Sequence, residues 1–365
     1  MNSAVTMDKS PRTVIRDEIR ALAAYHVPDS RGLVKLDAME NPYRLPSDLR
    51  SELGQLAAEA SLNRYPDPGA HRLKERLRVA LGVPEGMDLL LGNGSDELIQ
   101  ILALGVNRPG ATLLGVDPSF VMFRIIAAFA GLRYVGVPLA PDFSLDTPSL
   151  LAAVQEHGPA LTFIAFPNNP TGNLFEPDAV RALIEASRGL VVVDEAYHAF
   201  AGRSFLPELH RFPNLLVMRT LSKLGLAGLR LGVLIGRPEW LVELDKLRLP
   251  YNVNVLTQRL AACVLEHTDV LERQAAAIRS ERTELLAALR ALPGIRAYVS
   301  DANFILFRAP SADEVFAGLK TRGVLIKNLN GSHPVLTDCL RVTVGTPEEN
   351  SRFLDALRQS LPQHA

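Results

Sequence analysis

The stretch Thr220-Leu-Ser-Lys-Leu-Gly-Leu-Ala-Gly-Leu-Arg230 sets one lysine, Lys223, shortly after the apolar run Leu215, Leu216, Val217 and Met218. Hydroxyl and glycine residues surround it, and Arg230 follows seven positions on. An apolar run that breaks into such residues reads as a buried strand ending in a loop. A lysine held there can form an imine with an aldehyde cofactor, while Thr220, Ser222 and Arg230 can hold a phosphate. Whether it does so depends on the other groups the chain supplies.

Working outward, short apolar runs alternate with helical-period stretches from about Leu89 to Gly236. The runs are Leu89 to Leu91, Thr112 to Val116, Tyr134 to Val137, Leu161 to Phe166, Leu190 to Val193, Leu215 to Met218 and Leu231 to Ile235. Amphipathic stretches such as Val121 to Ala130, Pro148 to Glu156 and Pro177 to Ala186 lie between several of them. Continuous apolar strands alternating with helices predict an α/β fold with a mainly parallel sheet covered on both faces. Ligands of such sheets sit beyond the carboxyl ends of the strands. That is where Gly94-Ser-Asp96, Asn168-Asn-Pro170, Asp194-Glu195 and Ser222-Lys223 fall.

After Pro238 the texture changes. One long helical region is expected from Thr257 to Leu292, ended by Pro293-Gly294. A smaller α/β unit follows, with strands at Phe304 to Phe307, Val324 to Ile326 and Leu340 to Val344, and helices near Asp313 to Thr321 and from Pro347. The expected division is an N-terminal segment, 1–50, that helps complete the smaller lobe, a large domain, 51–255, and a small C-terminal domain, 256–365.

The 365 residues suffice for a large core, and 47% apolar with 22% charged residues is ordinary for a soluble enzyme. A formal net charge of -1 gives no global attraction for nucleic acid or anionic membrane. The polar N-terminus lacks a signal-peptide core, and no segment approaches the ~20 apolar residues of a membrane span. Cys263 and Cys339 offer neither metal spacing nor a disulfide framework, and read as small buried hydrophobes. A cytoplasmic protein without a metal is the expectation.

Asp194 directly follows Val191-Val-Val193, so its carboxylate should emerge at a strand end. A partly buried carboxylate needs a cationic or hydrogen-bonding partner, which a protonated pyridine nitrogen would supply. A structural cap or an ion pair is the other reading. Tyr197 and Asn169 can donate to a phenolic oxygen on such a ring. The backbone N–H groups of Ser95 and Asp96 begin a helix, where an anion is favoured. Phe120 can stack on a flat ring or simply join the core. Arg230 taken alone can be a surface ion pair, and Tyr65, in Asn63-Arg-Tyr-Pro-Asp67, can belong to a surface loop.

Together, Asn169-Pro-Thr-Gly172, Asp194-Glu-Ala-Tyr197, Ser222-Lys223 with Arg230, and Leu340-Arg-Val-Thr-Val-Gly345 resemble the fold-type I aminotransferases, which use pyridoxal phosphate (PLP). Within that family, Leu36-Asp-Ala-Met-Glu-Asn-Pro42, Asn63-Arg-Tyr-Pro66, Arg219-Thr-Leu-Ser-Lys223 and Val342-Thr-Val-Gly-Thr346 resemble the histidinol-phosphate aminotransferase subgroup. The likeness runs from about Tyr25 to the last helix. It implies a large domain with a mainly parallel seven-stranded sheet and a smaller α/β C-terminal domain. It further implies that Lys223 binds PLP covalently, Asp194 pairs with the pyridine nitrogen, and Asn169 and Tyr197 hold the phenolic oxygen. Ser95, Asp96, Thr220, Ser222 and Arg230 would hold the cofactor phosphate, with Phe120 on the ring.

Tyr65 resembles a tyrosine that reaches the phosphate in a partner subunit, which implies a homodimer with shared active sites. Arg341 matches the arginine that binds the substrate's anionic end, with Lys327 and Tyr25 as further contacts for a phosphate. Judged alone, Lys327 is an ordinary solvated lysine and Tyr25 an anchor for the N-terminal segment. The implied reaction passes the amine of L-histidinol phosphate to 2-oxoglutarate. Three positions depart from the family pattern. The Lys223–Arg230 spacing is one residue shorter than in many members, Phe120 often is tyrosine, and Lys327 often is arginine. Lysine neutralises a phosphate but lacks the bidentate fork of arginine.

The alternatives are an aromatic amino acid aminotransferase, a PLP lyase such as a threonine-phosphate decarboxylase, and a non-catalytic PLP-binding regulator. The regulator would need a DNA-binding module, for which the residues before Tyr25 are too few and no basic face is evident.

Overall fold

The structure is a computed structural model that describes residues 10–24 and 27–362. Seven strands form the larger sheet: β1 (Asp88–Asn93), β2 (Thr112–Asp117), β3 (Arg133–Pro138), β4 (Leu161–Ala165), β5 (Leu190–Asp194), β6 (Leu215–Thr220) and β7 (Leu231–Gly236). Their spatial order is β1-β7-β6-β5-β4-β2-β3. β4 through β7 are buried along their whole length, as continuous apolar runs between two helical layers must be. Two apolar clusters fill the two sides of this sheet. One contains Val191, Val193 and Val217, the other Leu190, Val192 and Leu216, as the twofold alternation of a strand dictates.

One strand runs against the rest. β7 pairs antiparallel with both β1 and β6. The cause lies in the segment that holds the lysine. Only Leu221–Arg230 joins β6 to β7, whereas a parallel return needs a crossover of about a dozen residues or more. The chain therefore turns back through two short 3-10 turns, Ser222–Leu224 and Ala227–Leu229. Gly225 takes φ +111, which a side chain would resist, and Arg230 is itself left-handed at φ +51. Because β7 is reversed, Arg230 at its start meets the carboxyl ends of the other strands.

The smaller sheet contains β8 (Arg296–Ala297), β9 (Phe304–Arg308), β10 (Lys327–Asn328) and β11 (Cys339–Thr343), in the order β10-β11-β9-β8. The expected strand Val324 to Ile326 is shared out. Val324–Leu325 pairs with Val34–Lys35 of the N-terminal segment, and Lys327–Asn328 joins β11.

The expected helix from Thr257 to Leu292 is two helices, Val255–Val264 and Thr268–Arg290, broken at Leu265–His267. Apolar periodicity alone hides this break, because Asp269 and Glu272 suit a helix interior as well as a first turn. Asn254 caps the first helix, accepting the Thr257 N–H at 2.9 Å, and Asp269 enters the first turn of the second. Among the described residues no helix is long and apolar enough to cross a membrane.

Candidate active site

At the carboxyl edge of the larger sheet lies a cleft of about 230 Å³. Ser95, Phe120, Asn169, Asp194, Tyr197 and Lys223 line it, together with Asp96, Thr220, Ser222 and Arg230. They come from the ends of β1, β2, β4, β5 and β6 and from the return loop, so the sheet itself sets their spacing.

Lys223 sits on the first 3-10 turn after β6, and its Nζ donates to the Ala38 carbonyl at 3.0 Å. Burial, then the Arg341 charge, lowers its pKa to about 8, against the opposing pull of Glu40 and Asp96. Near neutrality a usable fraction of the amine is therefore uncharged. Asp194 ends β5 and is 4% exposed. Its Oδ1 accepts the Ala196 N–H at 3.0 Å, yet it forms no salt bridge with any described residue. Burial raises its pKa to about 7, with further push from Asp96 and Glu195 and only partial relief from the Ala196 N–H and Lys223. A buried carboxylate so poorly compensated fits a ligand that brings its own N–H cation, as a pyridinium does.

Asn169 does two jobs. Its Nδ2 donates to the Tyr197 hydroxyl at 3.2 Å, and its Oδ1 accepts from Arg341 Nη1 at 2.5 Å. With its oxygen accepting from Asn169, the Tyr197 hydroxyl keeps its proton to donate. Burial first, then nearby Asp194, pushes Tyr197 well above the usual phenol range, against the lowering influence of Arg341 and Asn169. Arg341 stands on β11, buried, with Nη2 donating to the Asp37 carbonyl at 2.9 Å. Lys327 lies directly opposite it in register on β10. Burial and the Arg341 charge lower the Lys327 pKa, while Asp37 raises it.

The anion cradle is built on glycine. A Cβ on Gly232 would lie 2.6 Å from the Gly94 carbonyl carbon and 2.6 Å from the Ser95 nitrogen. Only glycine lets β7 approach the start of the helix Ser95–Gly105 so closely. Gly94, at φ +85, has the Arg230 guanidinium 2.7 Å from where its Cβ would be. The helix N-terminus and the guanidinium thus converge on one point, which suits a phosphate. Arg230 also faces Asp96 at 3.9 Å, with both side chains about half exposed. Thr220 lines the cleft, but its Oγ1 accepts the Ser222 N–H at 3.1 Å and its single proton serves Ser222 Oγ or the Leu231 carbonyl. It orients Ser222. Phe120 meets Phe123 edge-on at 5.5 Å and turns toward the cleft.

Tyr65 is not brought to the cleft. It is 80% exposed and stacks on Tyr251, with ring centres 4.4 Å apart. Tyr25 lies outside the described residues. Two functional supports were missed by reasoning from sequence. Ala38, in the N-terminal segment, reaches Lys223, and no local pattern marks it. Glu195 is fully buried and pairs with Arg219 at 2.8 Å, while also accepting the Phe205 N–H at 2.5 Å. Here a signal existed. Consecutive carboxylates at a strand end face opposite sides, so Glu195 needs its own cation, and Arg219 stands at the end of the adjacent strand. Removing one member of a buried pair costs about 3–5 kcal/mol.

A sheet whose carboxyl edge presents a buried lysine, an unpaired buried carboxylate and a helix-capped anion cradle defines the class of PLP-type α/β transferases. More particularly, the chain belongs to the aminotransferase class I and II family, whose model matches residues 31–357. It is 56% identical over 353 residues to histidinol-phosphate aminotransferase 1 of Ralstonia nicotianae, covering 95% of this chain and 94% of the relative. Histidinol-phosphate aminotransferase of Sinorhizobium meliloti, solved in complex with pyridoxal-5'-phosphate, superposes with a TM-score of 0.85 at 26% identity, covering 94% of this chain and 96% of that one. L-threonine-O-3-phosphate decarboxylase of Porphyromonas gingivalis shares the fold, with a TM-score of 0.76 at 19% identity over 90% of this chain and 99% of that one.

Proposed function

We propose that this chain is a PLP-dependent aminotransferase that moves the amine of L-histidinol phosphate to 2-oxoglutarate, giving imidazole acetol phosphate and glutamate in histidine biosynthesis. The observation that carries the substrate reading is the register pair Lys327–Arg341 beside the cleft. A phosphate ester carries up to two negative charges and three acceptor oxygens, which suits two cations better than one. Arg341 alone suits the carboxylate of the second substrate. The high identity to proteins named for this reaction supports the same choice.

PLP, when bound, supplies the electron sink for the bond broken at the substrate carbon. Lys223 would be the residue that holds it covalently, and the lysine amine, when not so engaged, would hold and move the proton taken at its Nζ from the amine-bearing carbon. Asp194 would pair with the ring nitrogen and favour its protonated form. Asn169 and Tyr197 would hold the phenolic oxygen, Ser95, Asp96, Ser222 and Arg230 would hold the phosphate, and Phe120 would cover the ring. Asn169 also braces Arg341, linking substrate binding to the cofactor. The division 1–50, 51–255 and 256–365 and a cytoplasmic setting belong to the same reading.

Purified enzyme offered histidinol phosphate, phenylalanine and threonine phosphate tests the substrate. The expected order puts histidinol phosphate first in kcat/KM, by tenfold or more, with no carbon dioxide released from any donor. Faster phenylalanine turnover, or decarboxylation of threonine phosphate, would replace this reading with one of its rivals.

The chemistry of Lys223 makes a pH prediction. The group is held down to about 8, so its amine is protonated below that value and free above it. Uptake of PLP by the cofactor-free protein should accelerate about tenfold per pH unit up to about pH 8 and then level off. A rate constant that stays flat between about pH 6 and 8 would contradict an attacking amine that titrates near 8.

We further propose that Tyr65 completes the site of a second copy in a homodimer, since a ring so exposed has no role in its own cleft. Mixing a Tyr65→Ala variant with a Lys223→Ala variant should restore activity above that of either alone. Hybrid dimers would hold one site with Lys223 from one chain and Tyr65 from the other. Activity that never exceeds the sum of the separate variants would contradict a shared site.

A further inference from the structure

Away from the cleft, the fold gathers three side chains that the spacing of the cysteines alone does not reveal. Glu52 lies on helix Ser47–Ala58, Cys263 near the end of Val255–Val264, and His267 directly before Thr268–Arg290. The Cys263 thiol donates to Glu52 Oε1 at 3.4 Å, and His267 Nε2 stands 3.8 Å from Glu52 Oε2. One ligand atom from each residue lies within 4.8 Å of the other two.

A tetrahedral Zn²⁺, with bonds of about 2.0–2.3 Å to oxygen, nitrogen and sulfur, holds its ligand atoms about 3.3–3.8 Å apart. The cluster is thus within about an ångström of a coordination shell. Side chains of Glu52 and His267 are 50% and 43% exposed, so an ion can enter from solvent while Cys263 forms the buried floor. Thiolate and carboxylate together neutralise a divalent charge, and imidazole completes a borderline-soft donor set.

We propose that Glu52, Cys263 and His267 form a zinc-class divalent metal site, with water in the fourth position. On loading, the Cys263 S–H bond breaks, its proton leaves to solvent, and a sulfur–metal bond forms. Neighbouring Glu266 is held by Arg76 at 2.7 Å and lies close to Arg72, so it stays outside the shell. None of the three ligands lines the cleft. Occupancy therefore acts on the scaffold: it pins the helix that leads into the Tyr65 turn to the break between the two long helices.

The test uses tag-free holoenzyme, dialysed first against chelator and then against Zn²⁺, Co²⁺ or Mg²⁺. The expected result is one Zn²⁺ or Co²⁺ per chain and no Mg²⁺, with a raised Tm. Bound Co²⁺ should show the visible absorption of tetrahedral thiolate ligation, at wavelengths beyond those of the cofactor. Cys263→Ser and His267→Gln should each weaken binding by about tenfold or more. Glu52→Gln, at an exposed position, should weaken it likewise and serves if the cysteine variant does not fold. Absence of stoichiometric binding, or binding that survives the histidine and glutamate substitutions, would overturn the proposal.

Discussion

Replacing Lys223 with alanine should abolish transamination, with kcat falling by about 10⁴-fold or more, because covalent attachment and proton transfer vanish together. The variant should still take up PLP, since the anion cradle at Gly94, Ser95 and Arg230 and the carboxylate of Asp194 are untouched. What it should lose is the absorbance of lysine-bound cofactor. An added small amine, able to carry a proton in the vacated space, should recover a small part of the rate. Lysine-bound absorbance persisting in Lys223→Ala would assign the attachment to another residue.

Asp194→Asn should lower kcat/KM by about 10²–10³-fold, the scale of removing one preorganised electrostatic contact. Asparagine keeps the shape of the side chain and can still accept the Ala196 N–H, so the fold should survive. The charge opposite the ring nitrogen is gone, and protonation of the ring is no longer favoured. The loss should fall on kcat, because the interaction strengthens as charge develops in the ring. PLP affinity should fall less, and Asp194→Glu should recover part of the rate. Weakened PLP binding with kcat unchanged would reduce Asp194 to an anchor.

Much of this architecture was legible in the residues. The strands from Leu161 to Ile235 announced themselves because strands buried on both faces have no polar side to confuse the pattern. The residues that line the cleft were legible as a group because most of them follow the carboxyl end of an apolar run. Less visible was the reversal of β7. The ten residues from Leu221 to Arg230 are too short for a crossover, but apolar periodicity carries no information on strand direction. The break at Leu265–His267 was hidden because its residues suit a helix interior.

Long-range polar partners were the least legible. Asn169 was read as a donor to the cofactor, yet its oxygen also holds Arg341, 172 residues away. Glu195, just past the end of β5, and Arg219 on β6 are brought together by strand register, which periodicity does not supply. Tyr65 gives the opposite case. The sequence motif stands out, while the isolated chain shows an exposed ring without a function in its own cleft.

The most direct test of the whole reading is the formation of glutamate by the PLP-loaded enzyme with histidinol phosphate as the sole amine donor and 2-oxoglutarate as acceptor. Glutamate should appear in equal amount to the donor consumed, and stop when either substrate is withheld. Binding of PLP through Lys223 without any glutamate formed would contradict the assignment of the cleft to this transamination.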